Sequence, residues 1–333
     1  MRRAFNRLIM FSALAIIGFA VWVYRYAHDV TAMPASVFPY EFSIEKGDSL
    51  RMAGERLYQA GIVRHPWAFV LIGRLQGRAG EIKAGNYVLE RAATPLALLN
   101  KITQGDIILG KLAFIEGWRF QDIRRSVAAH TGLRHDTLTL SDAELLQAIG
   151  VEETHLEGLL FPDTYFFDQG SSELALYQRA YHAMQQHLAA EWEKRAAGLP
   201  YRTPYEALIM ASIIEKETGA AEERRLIASV FLNRLRLGMR LQTDPTVIYG
   251  LGESFDGNLR RVDLLSDTPY NTYTRAGLPP TPIASPGLAS IQAALNPETS
   301  KALYFVAKGN GRHVFSETLD AHNRAVNRYQ RGR

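Results

Sequence analysis

Residues Leu8 to Tyr24 form an apolar run broken only by Ser12 and Gly18. At about 17 residues it lies near the lower limit for crossing a bilayer, where the backbone must satisfy its own hydrogen bonds as a helix. No other stretch restricts the chain as strongly. Arg2, Arg3 and Arg7 precede the run, and Trp22, Tyr24 and Tyr26 crowd its far end as an interfacial aromatic belt does. The positive-inside bias makes residues 1–7 a cytoplasmic tail and residues 8–26 a transmembrane anchor, with the remainder outside. A cleaved signal peptide, cut after the small residues Val30 and Ala32, is the competing reading. The run exceeds a usual signal-peptide core, so a retained anchor is expected.

The 333 residues provide for about two domains, with ample chain for a core. The net charge of +4 suits an anionic partner such as a membrane or acidic polymer. No basic run interleaved with aromatics points to nucleic acid. Cysteine is absent, which excludes disulfides, thiol catalysis and cysteine-ligated metal sites. There is no nucleophile-elbow motif, Walker loop, dinucleotide glycine fingerprint or zinc-protease helix. The nine histidines are scattered, and His182 and His187, five apart, are poor co-ligands on one helix. Neither a metal nor a cofactor is expected.

Residues 27–40, with Pro34 and Pro39, read as a linker. Residues 41–106 read as a small α+β unit. Phe42 and Ile44 alternate as a strand, Lys46 to Ser49 makes a turn, and Ser49 caps a helix through Leu57 and Tyr58. A second helix follows Pro66, Lys83 to Leu89 returns as a strand, and Thr94-Pro95 opens another helix. This strand–helix–helix–strand order with its KGDSL turn resembles a LysM module, which implies glycan binding. A plain α+β spacer fits the same pattern.

The rest, 107–333, is mainly helical, with helices expected at 120–130, 141–149, 173–197 and 224–236. Residues 157–165 form an apolar connector in which Asp163 caps or contacts ligand. A hairpin is expected about Gly309-Asn310-Gly311, followed by a closing helix. The overall class is α+β.

Tyr205 to Thr218, YEALIMASIIEKET, carries the chemistry. At about 100° per residue, Ile209, Met210, Ile213 and Ile214 share a face with Glu217, and Glu215 falls roughly opposite. A glutamate in an apolar stripe loses hydration, which raises its pKa and suits it to general-acid work. The same pattern admits a helix that ends near Glu215 and leaves Glu217 in solvent beside Lys216. Polar, aromatic-studded loops follow at 241–250, 270–273 and 277–287. Proline-stiffened loops amid helices suit a binding rim, and Tyr and Asn suit sugars. Tyr249 and Tyr270 can equally be core aromatics with satisfied hydroxyls.

EGLLFPDTY, ASIIEKET, ASVFLNRL, MRLQTDPTVIYG, YNTY and GLPPTPI, in this order, resemble the YceG-like endolytic murein transglycosylases across residues 40–330. The resemblance implies a bacterial inner-membrane enzyme that cuts peptidoglycan strands internally. It also implies a LysM-like unit and a lysozyme-like catalytic domain, with wall synthases as expected partners. Its catalytic glutamate falls on Glu217, because Glu217-Thr218 is similar to the Glu-Ser pair of lysozyme-like lytic transglycosylases. Gln242, Thr243, Asp244, Tyr249, Tyr270, Asn271 and Tyr273 are the implied substrate-binding residues. Asp244 would be the second carboxylate of a water-using muramidase. A silent peptidoglycan-binding scaffold is the rival reading.

Overall fold

Side-chain oxygens of Ser49, Thr94, Ser141, Ser172, Thr203 and Thr318 each accept a backbone N–H three residues on, and each opens a helix. In this computed structural model, residues 2–30, 33, 35–107 and 109–332 are described, without the side chains of residues 2–4 and Ala35. Ala32 of the signal-peptide reading and Pro34 of the linker lie outside the described residues, as do the side chains of Arg2 and Arg3.

The order is α1 (Arg2–His28), β1 (Tyr40–Ile44), α2 (Leu50–Gln59), α3 (Pro66–Leu75), β2 (Gly85–Leu89), α4 (Pro95–Gln104) and β3 (Leu109–Ala113). Then come α5 (Phe120–Ala128), β4 (Leu133–Arg134), α6 (Asp142–Ile149), β5 (Thr164–Asp168), β6 (Ser171–Ser172), α7 (Glu173–Glu193), α8 (Pro204–Glu217) and α9 (Arg224–Arg236). The chain closes with α10 (Asp244–Leu251), α11 (Arg261–Leu265), α12 (Leu288–Leu295), β7 (Tyr304–Ala307), β8 (His313–Ser316) and α13 (Leu319–Tyr329). The mixture of helix and sheet is that of the expected α+β class.

The chain divides into two units, Met1–Gly110 with Phe166–Ser171, and Lys111–Tyr165 with Ser172–Arg333. In the first unit, β1 and β2 pair antiparallel, Tyr40 opposite Leu89 and Ile44 opposite Gly85. Tyr87, Phe69, Leu57, Leu98 and Ile102 fill its core. Phe5–His28 of α1 is long and apolar enough to cross a membrane. Its C-terminal Val23 and Ala27 are buried in this unit's core, and Trp22 stacks on Trp67 at 5.2 Å.

The second unit is built around α8. Every residue from Ala207 to Ile214 is buried. The expectation of one apolar stripe is corrected here, because Leu208 and Ser212 are sealed as well. Ser212 escapes the cost of burial by donating to Ile209 O and accepting from Ile283 N. The other faces of α8 are covered by α12, α9 and α7. The hairpin β7–β8 pairs Tyr304 with Ser316 and Ala307 with His313. One expected loop is a helix, α10. Pro245 sits in its first turn, where a missing N–H costs nothing, so it opens a helix where a loop was expected.

Candidate active site

Polarity returns to α8 only in its last turn. Glu215 turns toward α12, where its Oε2 accepts from Gly287 N at 2.9 Å. Its other oxygen lies 3.9 Å from Arg224 Nη2, and the side chain is 7% exposed. Glu215 therefore caps a neighbouring helix. Lys216 donates to Gly117 O. The helix continues past Glu215 to Glu217, whose Oε1 accepts a 2.7 Å hydrogen bond from Thr243 Oγ1.

The segment that delivers Thr243 is held by its neighbour loop. Gln242 N donates to Thr272 O and Thr243 N to Thr272 Oγ1. Between them Gln242 adopts φ 52°, the left-handed region, and no other described non-glycine residue has a positive φ. Such backbone is held in place by its surroundings and concentrates at functional sites. One residue on, Asp244 Oδ1 accepts from Tyr273 Oη at 2.5 Å.

Glu217, Gln242, Asp244 and Tyr273 line one cavity of about 420 Å³. Thr243 stands behind it, 1% exposed, and acts through Glu217. The remaining three expected residues are elsewhere. Asn271 is fully buried, and its amide donates to the carbonyls of Asp263, Leu264 and Ser266 while its Oδ1 accepts from Tyr273 N. It ties off the end of α11 and has no group left for a ligand. Tyr249 and Tyr270 pack edge to face at 4.8 Å against the unit's core, with Tyr270 Oη bonded to Thr281 Oγ1. They line a separate cavity of about 270 Å³ beside Glu157. Tyr270 and Asn271 stand apart from the Glu217 cavity with their polar groups bonded to internal partners, Thr281 for Tyr270 and the end of α11 for Asn271.

Four cavity residues carried no signal in the loop motifs. Arg234 comes from α9, Tyr304 and His313 from the hairpin, and His322 from α13. The helical spacing of Leu319, His322, Val326 and Gln330 could have placed them on one face. His313 is fixed by Glu223, whose two oxygens accept from His313 N at 3.0 Å and meet Nδ1 at 2.7 Å.

Electrostatics separate the carboxyls. Burial raises the pKa of Glu217, and the nearby Asp244 charge adds to the rise, while the Thr243 hydrogen bond and His313 oppose it. Burial alone would also raise Glu223, but the bonds from His313 hold it below the ordinary range. Tyr273 is raised by burial and by Asp244, so it stays a hydroxyl donor. Glu157, outside this cavity, is pushed up to about 7 by burial, against hydrogen bonds from Phe120 N and Tyr249. Among the described residues no group of three or more His, Asp or Glu is placed to hold a metal ion.

The model of the YceG-like family matches residues 42–328, most of the first unit and nearly all of the second. The chain belongs to the YceG-like family. A protein of Bacillus subtilis named endolytic murein transglycosylase is 33% identical over 304 residues, covering 86% of this chain and 84% of that protein. A Streptococcus pneumoniae protein of the same name is 29% identical, over 85% of this YceG-like chain and 57% of the relative. The crystal structure of a YceG-like protein from Listeria monocytogenes superposes with TM-score 0.55 at 32% identity, covering 86% of this chain and 98% of that one.

Proposed function

We propose that this chain is an endolytic peptidoglycan lytic transglycosylase whose acid–base group is Glu217. The observation that carries the reading is a desolvated carboxyl, braced by Thr243, opening on a polar and aromatic cavity. The relatives' shared name supports the substrate class.

Protonated Glu217 gives its proton to the glycosidic oxygen between N-acetylmuramic acid and N-acetylglucosamine, and the C1–O bond breaks. The carboxylate left behind takes the proton of the muramic 6-hydroxyl, whose oxygen bonds to C1. The products are a free 4-hydroxyl and a 1,6-anhydro end, and no water is consumed. Glycosidases that use water or a covalent step need two carboxylates; here the substrate supplies the nucleophile. Gln242 and Tyr273 grip the sugars, and Asp244, ordered by Tyr273, faces the developing oxocarbenium charge.

Asp244 in the same cavity also supports a second reading, a muramidase in which this carboxylate activates water. Digestion of purified peptidoglycan by the full chain separates the two. Anhydro ends support the transglycosylase, reducing ends support the muramidase, and uncut strands contradict both.

The strand–helix–helix–strand order of the first unit supports a LysM-like, glycan-holding role. The helix Phe5–His28 supports a single-pass anchor in the inner membrane, and Arg2, Arg3 and Arg7 at the N-terminal side of the apolar run support a cytoplasmic N-terminus.

A further inference from the structure

One wall of the Glu217 cavity is made of hydrogen-bond donors. Arg234 is 8% exposed and pairs with no carboxylate among the described residues. Its Nε donates to Leu303 O at 2.7 Å, and its Nη1 donates to Leu241 O, Arg240 O and Gln242 Oε1. Those bonds brace the loops, and Nη2 has no hydrogen-bond partner among the described residues. A buried cation surrounded only by neutral acceptors is costly, and a carboxylate in reach removes that cost.

The guanidinium lies over the Tyr304 ring at 5.1 Å, and His322 stacks on the same ring at 5.2 Å and 25°. His322 Nδ1 is sealed from solvent and has no partner among the described residues. A stranded acceptor costs less than a stranded N–H, so the ring proton belongs on Nε2. Burial, and secondarily Arg234, lowers the His322 pKa, so the ring is neutral at pH 7. Arg234 and His322 therefore present N–H groups to one cavity, and the stack holds them in place.

We propose that Arg234 and His322 form a carboxylate subsite that takes an acidic group carried by muramic acid. The subsite rests on the reading of this cavity as a glycan-strand site, and it explains why a buried cation stands where sugar hydroxyls alone would leave it uncompensated. The acid has two possible sources. On a bare strand it is the lactyl carboxylate. On a strand with stem peptides the lactyl group is an amide, and the carboxylates are those of the peptide.

The test uses the full chain in detergent, carrying Glu217→Gln so that strands are bound and not cut. Dissociation constants are measured for a chitin oligosaccharide, for strands stripped of peptides, and for strands with stems. At least one acidic ligand binds about tenfold tighter than chitin, with an advantage that shrinks as salt rises, and whichever arm gains identifies the source. Adding Arg234→Gln, or His322→Phe, which keeps the stack, brings the ratio toward one; the ratio is the readout, because the loops that Arg234 braces also carry Gln242. The subsite is overturned by equal affinity for acidic strands and chitin, or by an advantage that survives both substitutions. If Arg234→Gln does not fold, a full advantage in folded His322→Phe overturns it alone. Strand cutting by the unsubstituted chain is assayed in parallel. Absence of cutting contradicts the glycan reading, whereas cutting without acid preference contradicts only the subsite.

Discussion

Thr243 Oγ1 donates to Glu217 Oε1 across 2.7 Å, so a residue at the start of α10 opposes the rise in proton affinity that burial gives a carboxyl on α8. The bond favours the ionised form of Glu217, and the Asp244 charge favours the protonated form. The two influences are separable.

Thr243→Val removes a bond to the ionised form, so the Glu217 pKa rises and the alkaline limb of the pH–rate profile moves to higher pH. Asp244→Asn removes a like charge, so the same limb moves to lower pH. Strand-cutting rates measured across pH check both signs, and shifts in one common direction contradict the assignment.

Asn271 holds three carbonyls at the end of α11. Asn271→Ala strands them and costs about 3 kcal/mol of stability. Asn271→Asp costs more, because a carboxylate oxygen replaces the donor. Chemical denaturation reads both. Activity falls only as far as the folded fraction falls, which distinguishes this role from sugar contact.

Gln242→Gly relieves the left-handed strain at φ 52° and adds chain freedom, two effects of opposite sign and about 1 kcal/mol each. Stability therefore stays within about 0.5 kcal/mol of wild type. Strand cutting drops about tenfold, because the side chain that lines the cavity is gone. A large loss of stability with full activity per folded molecule would reverse the account of this residue.

Glu157 makes stability depend on pH. Its carboxyl ionises near 4.5 when unfolded and near about 7 when folded. Between those values the folded state holds the extra proton, so stability falls as pH rises, by up to about 3 kcal/mol. Glu157→Gln keeps the acceptor for Phe120 N and flattens this slope, which melting curves taken from pH 4 to 8 record.

The sequence carried local information well. Thr203 and Pro204 mark the start of α8, and its apolar spacing sets Glu217 apart from Glu215. The hairpin follows from its glycines and the Asn between them. Sequence pattern carries no record of where a polar group finds its partner. Asn271 and Tyr270 look like sugar ligands until Ser266 and Thr281 consume them. Arg234, His313 and His322 read as ordinary helix and strand residues because the cavity they share closes only when the hairpin and α13 fold beside α8. The helix α10 reads as a loop for a different reason, since proline both ends and begins helices and only its position in the turn decides which.

The most direct measurement is muropeptide release from purified peptidoglycan by the full chain, with Glu217→Gln and Glu215→Gln beside wild type and melting temperatures recorded for each. Glu217→Gln lowers release by about a hundredfold or more at unchanged melting temperature, the usual consequence of losing a general acid. Glu215→Gln retains release to the extent that it stays folded. Undiminished release by a folded Glu217→Gln protein contradicts the account.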